Sequence, residues 1–206
     1  MSDIDDYKFN RLVWKSLLQE YQKDDVKMVT KPRTFLAKDG RKCVLRSVKW
    51  EDLDDLIEFI NSLVEEGSDI LRADKVTRSE EAEWLGRRLV RIEKGELIDV
   101  VAEVEGKVIA NSEVEKRSDL ESHVGYLGIA VKSGFRGIGI GTQIMKTLIE
   151  ESKKAGLKIL VLEHFNTNKT ARRLYEKMGF KEAGKIPKGI YKDGKYIDLI
   201  RMILEL

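Results

Sequence analysis

The stretch His123-Val-Gly-Tyr-Leu-Gly-Ile-Ala-Val131, Lys132-Ser-Gly-Phe-Arg136-Gly-Ile-Gly139-Ile-Gly141-Thr142, Gln143-Ile-Met-Lys-Thr-Leu-Ile-Glu150 decides how the rest of the chain is read. The apolar run ending at Val131 has the length and residue types of a buried strand. Beyond it, Ile140, Ile144, Leu148 and Ile149 share one helical face. Between strand and helix lies a short turn carrying Arg136, Gly137, Gly139 and Gly141. Glycines let the backbone approach a ligand closely, and the first N–H groups of a helix have no partner within it. The helix dipole adds partial positive charge at that end, so the turn suits a phosphate or pyrophosphate.

Two nucleotide motifs fail on spacing. A dinucleotide fingerprint starting at Gly137 would need its third glycine at position 142, which is Thr142, and Gly141 falls one residue early. A Walker loop would need a lysine after Gly141. A glycine-rich connection without a ligand is disfavoured, because alternate glycines at the start of a strong helix destabilise it.

A second stretch reads Glu163-His-Phe-Asn-Thr-Asn168-Lys-Thr-Ala171-Arg-Arg-Leu174-Tyr175-Glu-Lys-Met-Gly179-Phe180. Asn168 is a helix cap, Ala171, Leu174 and Tyr175 share a face, and Gly179 ends the helix. Arg136-x-x-Gly139-x-Gly141 after a strand resembles the pyrophosphate loop of the GNAT superfamily of acyl-CoA-dependent N-acetyltransferases. Asn168-x-x-Ala171-x-x-Leu174-Tyr175 through Gly179-Phe180 is similar to the helix that follows the splayed strand in that superfamily. The hairpin Gly189 to Asp198, continuing to Met202, resembles the last hairpin of many such enzymes. The likeness covers roughly Cys43 to the C-terminus.

The resemblance implies an α/β fold with a mixed, mostly antiparallel sheet flanked by helices and opened between two central strands to admit acetyl-CoA. It implies that main-chain groups of Ile129 and Val131 contact the acetyl and pantetheine portions. The pyrophosphate then falls to Arg136, Gly137, Gly139, Gly141 and Thr142, and Asn168 contacts the cofactor. Tyr175 becomes the acid that protonates the departing thiolate, against a plain role as a core aromatic.

Acetyl transfer to an amine also needs a base, because an alkyl amine is mostly protonated at pH 7. The oxyanion formed on attack needs a backbone N–H donor. Glu163 lies five residues before Asn168, as in RimI-type protein N-terminal acetyltransferases, and is the first candidate base; a strand-end ion pair is its plain reading. Glu113 and His123 are alternatives. Glu113 alternates with apolar neighbours as a solvated strand position would, and His123 reads as a solvent-facing strand start. Positions 125 and 127 are apolar, which speaks against a base on the central strand itself. His164 reads as a structural histidine, and no cluster has metal-ligand spacing, so no metal is expected.

The remaining segments support one domain with an appendage: an extension over residues 1–33 and the acetyltransferase domain over 34–206. Trp14, Leu17, Leu18 and Tyr21 fall at helical spacing before Pro32. That helix packs on the main domain or, more sharply, serves as a homodimer arm or substrate lid. Lys38-Asp39-Gly40-Arg41 signals a hairpin between Thr34–Ala37 and Lys42–Val48. Helices are expected from Asp52 to Gly67 and from Thr77 or Ser79 to Gly95, and strands over Leu97–Val104, Val108–Val114 and Leu157–Leu162. Arg72, Asp74 and Glu80 fall where the resemblance puts the acceptor-binding segment.

Lysine and arginine (38) nearly balance aspartate and glutamate (36), for a net charge of +2, so charge gives no argument for nucleic acid. The single cysteine, Cys43, excludes an internal disulfide framework and fits a reducing compartment. No signal-peptide order and no membrane-length apolar run are present, so a cytoplasmic protein without a membrane partner is expected. The function implied is direct transfer from acetyl-CoA to a primary amine: a protein N-terminus, a polyamine or a small amine. The competing reading is a catalytically inactive CoA-binding sensor or assembly module.

Overall fold

A computed structural model describes residues 31–206. The expected helix around Trp14 to Tyr21, and with it the dimer arm or lid, lies outside the described residues. Strands β1 (Arg33–Leu36) and β2 (Lys42–Arg46) pair across the Asp39-Gly40 turn, with Gly40 at a positive φ of 86°. Helix α1 (Leu53–Glu65) and helix α2 (Arg78–Glu93) follow. Thr77 and Glu80 form a reciprocal capping box at the start of α2, so the helix begins at its cap. Strands β3 (Leu97–Val104), β4 (Lys107–Lys116) and β5 (Val124–Val131) form a meander. Then come α3 (Ile140–Lys154), β6 (Ile159–Phe165), α4 (Lys169–Lys177), β7 (Lys181–Lys192) and β8 (Lys195–Glu205).

The eight strands form one sheet in the order β1-β2-β3-β4-β5-β6-β8-β7. Every neighbouring pair is antiparallel except β5 and β6, which are parallel. Strand β6 sits later than the apolar run Leu157–Leu162 suggests. Lys158 hands its N–H to the His123 carbonyl, and β8 carries the pairing on to Glu163, His164 and Phe165, opposite Arg201, Ile200 and Leu199. Cross-strand partners thus extend the strand through polar residues that an apolar pattern would end on.

Two apolar layers flank the sheet. Ile140, Ile144, Met145 and Leu148 of α3, with Tyr175 of α4, pack on Ile98, Val100, Val114 and Leu160. On the other face, Leu53 and Leu56 of α1 and Leu85 and Ile92 of α2 pack on Leu97, Val101 and Val108. Gly125 permits the first layer to close on β5: a Cβ there would lie 2.5 Å from Val114 Cγ1 and 2.8 Å from Leu157 Cδ1. Gly125→Ala is therefore expected to destabilise the fold by about 1–3 kcal/mol through overpacking. Urea unfolding should show a lower midpoint with an unchanged slope, and an unchanged midpoint would mean the layer repacks without strain.

Candidate active site

The site begins where β5 and β6 part. Their pairing runs through Val124–Ile159, Gly125–Leu160 and Tyr126–Val161 and ends there, although both strands continue. The direction of the main chain beyond that point follows from three hydrogen bonds. Arg117 N–H donates to Val124 O at 3.0 Å and Lys132 N–H to Ile109 O at 2.9 Å, both on the β4 side. Lys158 N–H reaches His123 O at 2.8 Å, from the β6 side. Peptide groups alternate along a strand, so the main chain of Ile129 and Val131 faces the gap that β6 leaves. These are strand groups that β6 does not pair. His123, by contrast, stands exposed at the closed end of the pair, away from the gap.

The glycine turn closes the far end. Gly134, Gly137 and Gly139 have φ of 79°, 76° and 97°, and Gly139 is the residue before α3. That left-handed backbone turns the chain abruptly into the helix, where Gln143 N–H is the first to find a helical carbonyl, at Gly139. The N–H groups of Ile140, Gly141 and Thr142 are left as donors at the positive end of the dipole. Gly141 has a packing reason of its own, since a Cβ there would lie 3.2 Å from Leu174 Cδ2 of α4.

Neighbours hold the turn in shape. Lys38 N–H donates to Ile138 O at 2.9 Å, so the β1–β2 hairpin rests on the loop. The Arg41 guanidinium donates to Gly134 O at 2.7 Å and lies 4.2 Å over the Phe135 ring. Arg136 Nε donates to Val131 O at 2.6 Å, and its other end meets Ser68 Oγ at 2.9 Å and the Glu66 carboxylate. Glu66 is held below the usual carboxylate range: burial opposes this, but Ser68 and Arg136 outweigh it. Arg136 thus ties the turn to the end of α1.

Helix α4 borders the gap from the α3 side. Asn168 Oδ1 accepts the Ala171 N–H at 3.0 Å and caps the helix, while the side-chain amide retains its N–H donors. Tyr175 is 6% exposed, with its ring 5.9 Å from His164 and 6.2 Å from Phe180. Burial pushes its phenol up to about 12. His164 Nδ1 meets Phe165 O at 2.8 Å, and its buried Nε2 has no partner among the described residues.

The opposite face of the sheet carries the carboxylates. Glu163 lies two residues beyond the last β5–β6 pair and accepts both Nε and an Nη of Arg201, at 2.9 and 2.7 Å. Glu113 stands on the other side of β5, its Oε1 3.7 Å from where a Cβ of Gly128 would be. Glu163 borders the gap, and Glu113 lies across β5 from it. Glu113 is paired with Arg88, which also donates to Asp99 at 2.6 Å and to Asn111 Oδ1 at 3.1 Å. Arg88 is 4% exposed. Burial penalises its charge, but Asp99 and Glu113 outweigh that and raise its pKa. A lone charge there would be strongly destabilising, and this network answers it.

Sequence reading missed Arg88 and Glu81, both buried on α2. A signal existed: Glu81, Leu85, Arg88 and Ile92 follow one helical stripe, so the charges occupy positions that an apolar face should hold. Arg72 and Glu80 line a cavity of about 370 Å³ between α1 and α2, together with Glu81, Trp84 and Asn111.

A profile described as the Acetyltransferase (GNAT) family matches residues 64–180. The chain belongs to the GNAT family. It is an acyltransferase of the N-acetyltransferase type, and its mostly antiparallel sheet with flanking helices is the GNAT fold. The L-methionine sulfoximine/L-methionine sulfone acetyltransferase of Pseudomonas aeruginosa is 25% identical over 164 residues, covering 79% of this chain and 94% of that protein. Another curated relative aligns over only 38% of its own length. Among solved structures, a ribosomal-protein-alanine N-acetyltransferase from Brucella melitensis superposes with a TM-score of 0.70 at 27% identity, over 79% of this chain and 99% of that one. A Salmonella typhimurium acetyltransferase structure with its cofactor acetyl-CoA shares the fold, with a TM-score of 0.70 at 22% identity over 79% and 93% of the two chains. Within the GNAT frame, the described residues contain no group of three or more potential metal ligands and no helix long and apolar enough to cross a membrane.

Proposed function

We propose that this GNAT protein transfers an acetyl group from acetyl-CoA to a primary amine in a ternary complex, without a covalent enzyme intermediate. The observation that carries this reading is the gap after Tyr126–Val161, lined by main-chain groups of Ile129 and Val131 and ending at the glycine turn. These groups suit the donor: strand N–H and C=O for the amide-containing pantetheine, and the N–H groups of Ile140, Gly141 and Thr142 for its pyrophosphate. Arg136, Gly137 and Gly139 shape that cradle, and the Asn168 amide adds a donor. Acetyl-CoA supplies the activated acyl group.

The chain supplies the rest. A carboxylate takes the proton that leaves the acceptor's ammonium, so that the amine can attack. The Ile129 main chain polarises the acetyl oxygen. Tyr175 delivers hydrogen-bond or proton donation to the sulfur as the C–N bond forms and the C–S bond breaks. Glu163 is the first candidate base and Glu113 the second; they lie on either side of β5 and each is steered by an arginine. The buried Cys43, its thiol pushed up to about 11 by burial and then by Glu103, takes no part. We place the protein in the cytoplasm on its single cysteine.

Acceptor-dependent thiol release across N-terminal peptides, lysine peptides, spermidine and free amino acids, with mass spectrometry of the products, tests this reading. Absence of release despite acetyl-CoA binding would favour the inactive CoA-binding module. Glu163→Gln is expected to lower kcat/KM roughly 10²-fold or more near neutral pH and less at alkaline pH, where the acceptor deprotonates unaided. A profile parallel to wild type would remove Glu163 as the base, and the same comparison on Glu113→Gln would then decide for its neighbour across β5.

A further inference from the structure

The cavity between α1 and α2 holds a carboxylate that the fold does not use. Glu81 is 7% exposed and lines the cavity, and its carboxylate has no hydrogen-bond or ion-pair partner among the described residues. The other charged groups of the cavity are engaged. Glu80 closes the capping box with Thr77, and Arg87 pairs with Glu83 at the surface. Arg72, exposed at the rim, donates its Nε to Asp74 O at 3.0 Å. Arg88, deeper on the same helix, is consumed by Asp99, Glu113 and Asn111. A nine-tenths-buried carboxylate that lines a cavity with no direct ion pair, and only the more distant charges of Arg72 and Arg88 to offset its burial, is costly to the fold. It becomes favourable when a ligand brings the missing positive charge.

The walls say more about that ligand. Leu56, Phe59 and Ile60 of α1 and Trp84 of α2 line the same cavity, so it offers apolar surface to a methylene chain, while the Arg88 guanidinium already lies 4.8 Å over the Trp84 ring. Its lining reaches β4 at Asn111, which shares Arg88 with Glu113, and Glu113 borders Gly128 of β5, the strand that forms one side of the gap. Glu81 and Arg88 are seven residues apart on one helix, which sets Glu81 roughly 10 Å along the helix from the residue that holds Glu113. Glu81 is thereby set apart from the candidate base Glu113. The anchor before α2 is itself fixed, since Val76 N–H donates to Asn61 Oδ1 at 2.7 Å and Val76 O accepts from Asn61 Nδ2 at 3.2 Å.

We propose that this cavity selects a linear di- or polyamine, with Glu81 binding the distal ammonium while the near amine reaches the β5–β6 gap. The inference rests on the acetyl-transfer reading and names its acceptor class. Burial raises the Glu81 pKa, and Arg72 and Arg88 only partly offset this, in keeping with a carboxyl that still awaits a cation.

The test uses the full chain and four amines: spermidine and 1,8-diaminooctane, ethylenediamine as a diamine too short to span the distance, and butylamine, which lacks the second charge. The long amines should exceed butylamine in kcat/KM by roughly ten- to a hundredfold, the range expected of one charge-assisted contact. Glu81→Gln, which keeps the shape, should erase that preference while acetyl-CoA affinity holds. Equal use of all four amines, or a preference that survives Glu81→Gln, overturns the proposal. If no amine is acetylated, the acetyl-transfer reading fails first, and calorimetry of spermidine with the CoA-loaded protein decides the rest. Binding that is lost in Glu81→Gln upholds the cation site, and no binding to the wild type overturns it.

Discussion

Gly139→Val is expected to weaken acetyl-CoA binding by about a thousandfold. Gly139 stands at φ 97° and ψ −10°, directly before α3. A side chain in left-handed backbone costs roughly 1–2 kcal/mol, and a β-branched one more. The strain is relieved by turning the peptide, which re-aims the N–H groups at the start of α3. A charge-assisted hydrogen bond is worth about 1.5–3 kcal/mol, so two N–H groups turned away from the ligand cost about 4 kcal/mol, or three orders of magnitude in affinity. Gly141→Ala provides the contrast. Its Cβ meets only the far end of Leu174, at 3.2 Å, within a regular helix, and a loss of no more than about tenfold is expected from that adjustment. Calorimetric titration with acetyl-CoA reads both variants without depending on turnover. If Gly139→Val bound within a few-fold of wild type, the pyrophosphate would not lie at this turn.

The contrast between these glycines shows where sequence reading stops. Gly137, Gly139 and Gly141 look alike in the sequence, and all suit a phosphate turn. The structure gives the first two a left-handed backbone and the third a helix-packing contact, because only the fold brings Leu174 alongside. Local signals were read well: the Asp39-Gly40 hairpin, a helix opening at Thr77 or Ser79 (it opens at Thr77), β3 from Leu97 to Val104, and the Asn168 cap each depend on a few adjacent residues. What escaped depends on distant partners. Strand β6 outruns its apolar pattern because β8 pairs with Glu163 and His164. Arg88 is buried because Asp99 and Glu113 arrive from β3 and β4, and helical periodicity alone sees only a charge. The outline of the acceptor side, set by such long-range charge pairs, was therefore the least legible part of the site.

Tyr175→Phe is expected to lower kcat about a hundredfold while leaving acetyl-CoA affinity within about twofold. The magnitude follows from the phenol's surroundings. With its pKa pushed to about 12 by burial, Tyr175 keeps its proton throughout the physiological range and is always available as a donor. An alkyl thiol sits near 8.5, so complete transfer from Tyr175 to the departing thiolate runs uphill by roughly 3–4 pKa units at about 1.4 kcal/mol each. Donation to developing charge on sulfur carries no such penalty. On the proposed reading Tyr175 would contribute through that hydrogen bond, at the lower end of what general acids supply. The hydroxyl has no hydrogen-bond partner among the described residues, so its removal should leave thermal stability unchanged or slightly raised. The sign with pH is also determined. From pH 10 toward 12 the unfolded phenol ionises while the folded one resists, so the wild type loses stability over that window as pH rises, and Tyr175→Phe should lose less. Single-turnover kinetics beside an acetyl-CoA titration separates the possible outcomes. An unchanged chemical step excludes Tyr175 as the donor. A parallel collapse of affinity would mean that Tyr175 acts by packing against His164 and Phe180, and the proton would then have to come from solvent.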